Sequence, residues 1–347
     1  MCNIAGYVGT KSAAPILIEM MRQQEGLDAG VYTGIATIHE GKIYYEKVAG
    51  PLDVLVNETN ASTLPGTIGF IHSRTPGRRD KTKEWSHPFV CEKDGEVKAA
   101  FALNGGMGCC KPQRENYISF AEELIADGYE FKTSVPADGH YMEISTGSRV
   151  HPSEVITLLI SRRILNGMNT VEALEESYCQ MPKEIVGLLL SVTEPDAISW
   201  GRMNFPMHLG FAEDGAYLAT APQCFPDEVG EPTLLPIMSA GLVYKDRFTC
   251  KAFKKQPFSV APLSARVRAE AYEACCAALR EGNKTVPDLG GICESLFDKA
   301  DSTQRGAALY GVLYEIHKQG KLKVEVGYKQ GVYEEAPAPV FYMTLVD

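Results

Sequence analysis

A chain of 347 residues, 45% hydrophobic and 22% charged, has the make-up of an ordinary globular protein and is long enough for two domains. Its net charge of −10 excludes a general electrostatic pull toward nucleic acid or anionic lipid. No apolar run approaches the roughly 18 residues of a membrane span, and the N-terminus lacks the basic-then-apolar order of a secretory signal, so a cytoplasmic protein without membrane or nucleic-acid partners is expected.

The first element is a short strand, "IAGYVG", directly behind Cys2. "SAAPILIEMMRQQEG" predicts a helix that Ser12 can cap, with Pro15 in its first turn and Ile16, Leu17, Met20 and Met21 as an apolar face. "VYTGIATIHEGKIYYEKVAG" predicts a hairpin turning at Glu40-Gly41. "TIGFIHS" and "VKAAFALN" predict two more strands, the second apolar on nearly every residue and so buried on both faces. Helices are expected over "ENYISFAEELIADG", "HPSEVITLLISRRILNG" and "VEALEESYCQM", the last with Val171 and Leu174 inward; strands return in "IVGLLLSVTE", "HLGFAEDGAYLAT" and "LLPIMSAGLVYK". Strands, then helices, then strands point to a layered α+β arrangement rather than alternating βαβ units.

The segment 252–347 changes character. Three helical stretches, "SARVRAEAYEACCAALREG", "VPDLGGICESLFDKA" and "STQRGAALYGVLYEIHKQG", precede two strand-like runs, "KLKVEV" and "VFYMTLV". That order predicts a small helical, winged-helix-like module after a first domain over 1–251. Its near balance of cations and carboxylates favours packing or partner binding over a phosphate backbone.

Ten cysteines are scattered without a C-x-x-C pair, and neither zinc-finger spacing nor a phosphate-cradling glycine motif is present, so no metal and no cofactor is expected. Most of the thiols read as reduced and buried. Cys2 stands apart, because a chain terminus gives a structural thiol little to pack against. Removal of Met1 would give this residue a free α-amine beside its own sulfur.

Three stretches in order carry a resemblance: "CNIAGYVG", "HSR" followed by "SHPF", and "NGG" at the end of the buried strand. Together they resemble the glutaminase domain of class II glutamine amidotransferases, which are N-terminal-nucleophile hydrolases, over roughly Cys2 to Lys251 and nearest to the glucosamine-6-phosphate synthase type. The resemblance implies a four-layer αββα sandwich. It also implies that Cys2 attacks the side-chain amide of glutamine to give a thioester and ammonia, with the α-amine as base. Asn104 and Gly105 would stabilise the oxyanion, and Arg74 would pair with the substrate carboxylate. Thr75 and His87 fall at positions flanking the substrate. About a hundred residues beyond this span cannot hold a sugar-isomerase half, so ammonia would pass to a separate synthase chain, and a homo-oligomer is compatible with the sequence.

The pattern departs from the family at Asn3 (glycine there), Thr75 (tryptophan), Arg78 and Leu103 (histidines), and Pro152, where the family has an aspartate for the glutamine ammonium. Asp138 and Glu143 are the candidate replacements. The losses leave open a second reading, a non-catalytic or altered-specificity protein with a sensory or partner-binding role.

Overall fold

The computed structural model describes residues 2–75, 82–106, 114–137, 143–261, 263–296, 304–330 and 336–346. The first part of the chain runs β1 (Asn3–Gly9), α1 (Ala13–Arg22), β2 (Tyr32–His39), β3 (Lys42–Val48), α2 (Leu52–Glu58), β4 (Ile68–Arg74), β5 (Phe89–Lys93) and β6 (Glu96–Gly106). Then come α3 (Arg114–Ala126), β7 (Val135–Pro136), β8 (Ser148–Arg149), α4 (Pro152–Leu165), α5 (Thr170–Gln180), β9 (Glu184–Ser191), β10 (Ile198–Arg202), β11 (His208–Ala212) and β12 (Gly215–Ala219). The last part holds β13 (Thr233–Leu234), β14 (Ser239–Val243), β15 (Lys251–Ala252), α6 (Ala265–Glu281), α7 (Val286–Ile292), α8 (Arg305–Lys318), β16 (Leu322–Lys329) and β17 (Ala338–Leu345).

Two antiparallel sheets form the centre. One has the order β13-β11-β12-β1-β4-β2-β3 and the other β15-β14-β10-β9-β6-β5. Their facing sides meet in an apolar layer in which Ile4, Val8 and Phe70 of the first sheet pack with Ala100, Ala102, Leu188 and Trp200 of the second. Side chains alternate along a strand, so neighbouring residues supply the outer layers. Ala5, Tyr7, Ile35 and Ile71 pack under α1 and α2, while Phe101, Leu103 and Leu189 pack under α3, α4 and α5. The result is the αββα sandwich expected from the resemblance. It explains why "VKAAFALN" is apolar throughout, since β6 is covered on both faces.

The β2–β3 hairpin turns at Glu40 (φ 49°) and Gly41 (φ 73°), both left-handed, as a two-residue turn matched to strand twist requires. Ser12 occupies the N-cap of α1 but its side chain makes no capping bond. α6, α7 and α8 and the β16–β17 hairpin follow in the expected order and share a core that also takes in Leu27 and Ala221 from the sandwich. Among the described residues no helix is long and apolar enough to cross a membrane.

Candidate active site

The site is assembled where β1 begins. β1 pairs with β4 so that Asn3 lies opposite Ser73 and Ile4 opposite His72. Continuing that register places Cys2 across from Arg74. By strand alternation Cys2, Ile4, His72 and Arg74 share the face between the sheets, while Asn3 and Ser73 point to the helical side. The contacts agree: Ile4 belongs to the inter-sheet layer, whereas Asn3 donates to Gln24 Oε1 at 3.4 Å, just beyond α1. Asn3 therefore does not crowd the sulfur, contrary to what its place beside the nucleophile suggests.

β6 crosses from the other sheet and brings Asn104 to the same point. Its Nδ2 donates to the Cys2 carbonyl at 2.6 Å and to Thr220 Oγ1 at 3.1 Å. Thr220 Oγ1 also accepts from Ile4 N at 3.0 Å. Two acceptors thus occupy both hydrogens of the Asn104 amide. In this state Asn104 ties down the Cys2 backbone and has no amide hydrogen left for a further acceptor. Gly105 follows with an exposed backbone. A Cβ there would lie 2.6 Å from the Glu184 carbonyl, so glycine is required, and 3.1 Å from Lys183 Cε, which brings a buried lysine stem alongside.

Two groups of Thr75 address the sulfur. Its backbone N–H donates to Cys2 Sγ at 3.4 Å, and its Oγ1 lies 3.5 Å away. Burial works to raise the thiol, but the adjacent His72 imidazole, then the terminal amine and the Thr75 hydroxyl, outweigh it and bring Cys2 down to about 6. A thiolate is the nucleophilic form. His72 is buried, and neither of its nitrogens completes a well-aligned hydrogen bond in this conformation.

Behind His72 lies a buried row of rings. His87 stacks on it at 4.0 Å between centroids and packs edge-on to Phe89 at 4.7 Å. Burial first, then the neighbouring imidazoles and Arg74, hold His87 well below the usual histidine range, so it is neutral. The expected substrate-flanking His87 is thus an interior group behind His72. His151 is depressed in the same way, chiefly by burial and then by Arg74. Its Nδ1 accepts from Ser153 N at 3.0 Å, capping α4, with Pro152 as the first helical residue.

Arg74 is nearly buried. Its Nη1 donates to the Trp85 carbonyl at 3.0 Å and its guanidinium lies 5.1 Å from the Tyr32 ring centroid. Arg149 stands over the Trp85 ring at 4.9 Å. Trp85 is therefore packing that orients two arginines. The start of α4 offers a proline and an imidazole, not a carboxylate. The nearest helical carboxylate, Glu154, is buried and already accepts from Lys132 N, Thr133 N and Thr133 Oγ1.

Of the residues anticipated from sequence, Cys2, Arg74, Thr75, Asn104 and Gly105 come together. Asp138, like Arg78, lies outside the described residues. Glu143 is exposed and pairs through its backbone with Arg149, with no hydrogen bond to Cys2, Arg74 or Asn104 among the described residues. Sequence reasoning gave no role to His72, which sits two residues from Arg74 and so on its strand face. It also missed Thr220 and Lys183, for which no local signal exists. Among the described residues no cluster of His, Cys, Asp or Glu could hold a metal ion.

No family model matches the chain. It is 28% identical over 255 residues to a glutamine–fructose-6-phosphate aminotransferase (isomerizing) of Pyrococcus horikoshii, a match covering 72% of this chain and 38% of the relative. The enzyme of the same name from Clostridium tetani is 30% identical over 223 residues, 63% of this chain and 31% of the relative. The chain spans about a third of the length of these curated relatives. In three dimensions it aligns with glutamine phosphoribosylpyrophosphate amidotransferase from B. subtilis, with a TM-score of 0.56 and 14% identity, covering 78% of this chain and 52% of that one.

Proposed function

We propose that this chain, a relative of class II glutamine amidotransferases with their fold, cleaves the side-chain amide of glutamine or a closely related ω-amide through Cys2 and supplies ammonia to a separate synthase chain. The observation that carries the reading is the meeting of three groups at one strand end. The Cys2 sulfur is addressed by Thr75 N–H and His72, its carbonyl is tied to Asn104, and Arg74 stands opposite in register. The thiolate attacks the amide carbon, the carbonyl electrons move to oxygen, and the tetrahedral adduct collapses as a proton reaches the nitrogen and ammonia departs. Water then adds to the thioester, releasing the carboxylic acid and restoring the thiol. The Gly105 N–H, with Asn104 once one of its bonds is exchanged, is assigned to the oxyanion in this reading. Losing one such donor costs about 3–4 kcal/mol of barrier. Arg74 is suited to the carboxylate at the other end of the substrate.

The test is ammonia release from glutamine by the wild type and by Cys2→Ala, in protein whose N-terminus is confirmed by mass spectrometry. Turnover abolished by the substitution supports the reading; no Cys2-dependent release from glutamine or any ω-amide refutes it. One observation favours a shifted substrate. The start of α4 holds Pro152 beside His151, with Arg74 and Arg149 nearby, which suits an anionic head better than an ammonium. An amide whose α-nitrogen is acylated should then be turned over no worse than free glutamine, and a hundredfold preference for glutamine would reject this refinement alone.

A further inference from the structure

The C-terminal hairpin overhangs the body of the protein. Among the described residues β16 and β17 form a two-stranded sheet, and the far side of β17 is closed by backbone bonds between Met343 and Lys284. On one face of the hairpin, Met343 and Phe341 of β17 are buried in the helical core, and Phe341 covers Gly26. Directly opposite them on β16 stand Val324 and Val326, with Tyr328 opposite Pro339. These three are 42%, 57% and 64% exposed. The same face of one small sheet is therefore core on its inner strand and bare on its outer strand. Scattered apolar residues on a surface need no account. Three at alternate positions on an edge that pairs with no further strand among the described residues do, because such an edge invites another strand.

We propose that β16 is a homotypic docking edge, at which two copies of this chain pair β16 antiparallel with β16 about a two-fold axis at Gly327, forming a four-stranded sheet shared between the copies. The charges on the other face of the strand decide both the occupant and the register. An axis at Gly327 sets Glu325 opposite the partner's Lys329, and Val326 opposite the partner's Tyr328, each twice by symmetry. An axis at Glu325 would oppose that carboxylate to itself, and one at Val326 would oppose Lys323 to the partner's Lys329. Like charges directly opposite across strands are destabilising. An axis at Val324 also matches charges, but leaves Tyr328, the most exposed of the three, beyond the end of the partner's strand. Gly327 is suited to the axis. It carries no side chain to collide with its own copy, and its face is covered by the Tyr342 ring, which a Cβ there would approach to 2.6 Å. Five paired residues bury less than a standard interface of about 1,600 Å², so a dissociation constant on the order of tens of micromolar is expected.

Sedimentation equilibrium of the full chain, from about 1 to about 300 µM to bracket that affinity, tests this without reference to the amide chemistry. The wild type should pass from monomer to dimer. Lys329→Glu should weaken association at least tenfold, and Glu325→Lys combined with Lys329→Glu should restore it, because the opposed charges are then exchanged. Both positions involved are exposed, and circular dichroism with the rate of Cys2 alkylation confirms that the variants are folded. A chain that stays monomeric throughout overturns the proposal. So does a dimer indifferent to both variants, or a double variant that fails to recover. Association only when a synthase chain is added would assign the edge to that partner and equally refute pairing with itself.

Discussion

At the proposed nucleophile, Cys2, the ionisation of the thiol is governed by the environment built by β4. Burial alone would suppress ionisation of the thiol, yet its position beside His72, helped by the terminal amine and the Thr75 hydroxyl, carries it down to about 6. A lowered pKa means that the thiolate is present above that pH and is lost as pH falls through it. Alkylation of Cys2 by iodoacetamide should therefore rise with pH about a midpoint near 6. In His72→Gln the midpoint should move up toward the roughly 8.5 of an ordinary thiol. A midpoint unmoved by that substitution would assign the thiolate to other donors. Glu25 shows the opposite case. Burial raises its carboxyl to about 7 despite hydrogen bonds from Ser73 Oγ at 2.8 Å and Leu52 N at 2.9 Å. A raised carboxyl favours the fold at low pH, and that contribution fades as pH climbs from about 4.5 to about 7.

Among elements, the seam between the terminal hairpin and the sandwich is the most exacting. Gly26 sits in the turn after α1, and a Cβ there would lie between 2.2 and 2.8 Å from three atoms of the Phe341 ring. Gly26→Ala should destabilise the protein by about 1–3 kcal/mol through overpacking. Pairing it with Phe341→Leu should recover part of the loss, a non-additivity measurable in a denaturant cycle; strictly additive losses would mean that the two do not meet. Element existence was largely legible in the sequence. The strand-helix-strand order and the Glu40-Gly41 turn follow from local pattern, and both-face burial of β6 follows from its uninterrupted apolar run. β10 was not legible, because "ISWGR" is short, carries Arg202 inside it, and is held as a strand by β9 and β14 on either side. α2 and β5 went unrecognised for the same reason, being short segments defined by what they pack on.

Across the whole molecule, the C-terminal helices reach β1, the strand that follows Cys2. Tyr310 of α8 is wholly buried, and its hydroxyl lies toward the Asn3 side chain, which lowers its pKa somewhat against the larger upward effect of burial. That hydroxyl completes no well-aligned bond. Tyr310→Phe should then cost less than about 1 kcal/mol or even stabilise, while Tyr310→Ala should cost about 3–5 kcal/mol by opening a cavity behind β1. Thermal unfolding measures both, and equal losses would show that the hydroxyl rather than the ring matters. We propose that the segment 252–347 acts as a buttress for the site, which is what its shared core with Leu27 and Ala221 would provide.

Read alone, the sequence singled out Cys2 as the proposed nucleophile, Asn104 and Gly105 for the oxyanion and Arg74 for the carboxylate, because each belongs to a short motif whose spacing survives without the rest of the fold. Tertiary structure alone decided that His72 and Thr75 attend the sulfur, that Thr220 and Asn104 pin the Cys2 end of β1, and that Asn3 turns toward α8 instead of the pocket. These are contacts between residues as many as 216 positions apart or on opposite sheets. Strand alternation and register fix which face each side chain takes, and register is a property of paired strands, not of any one segment.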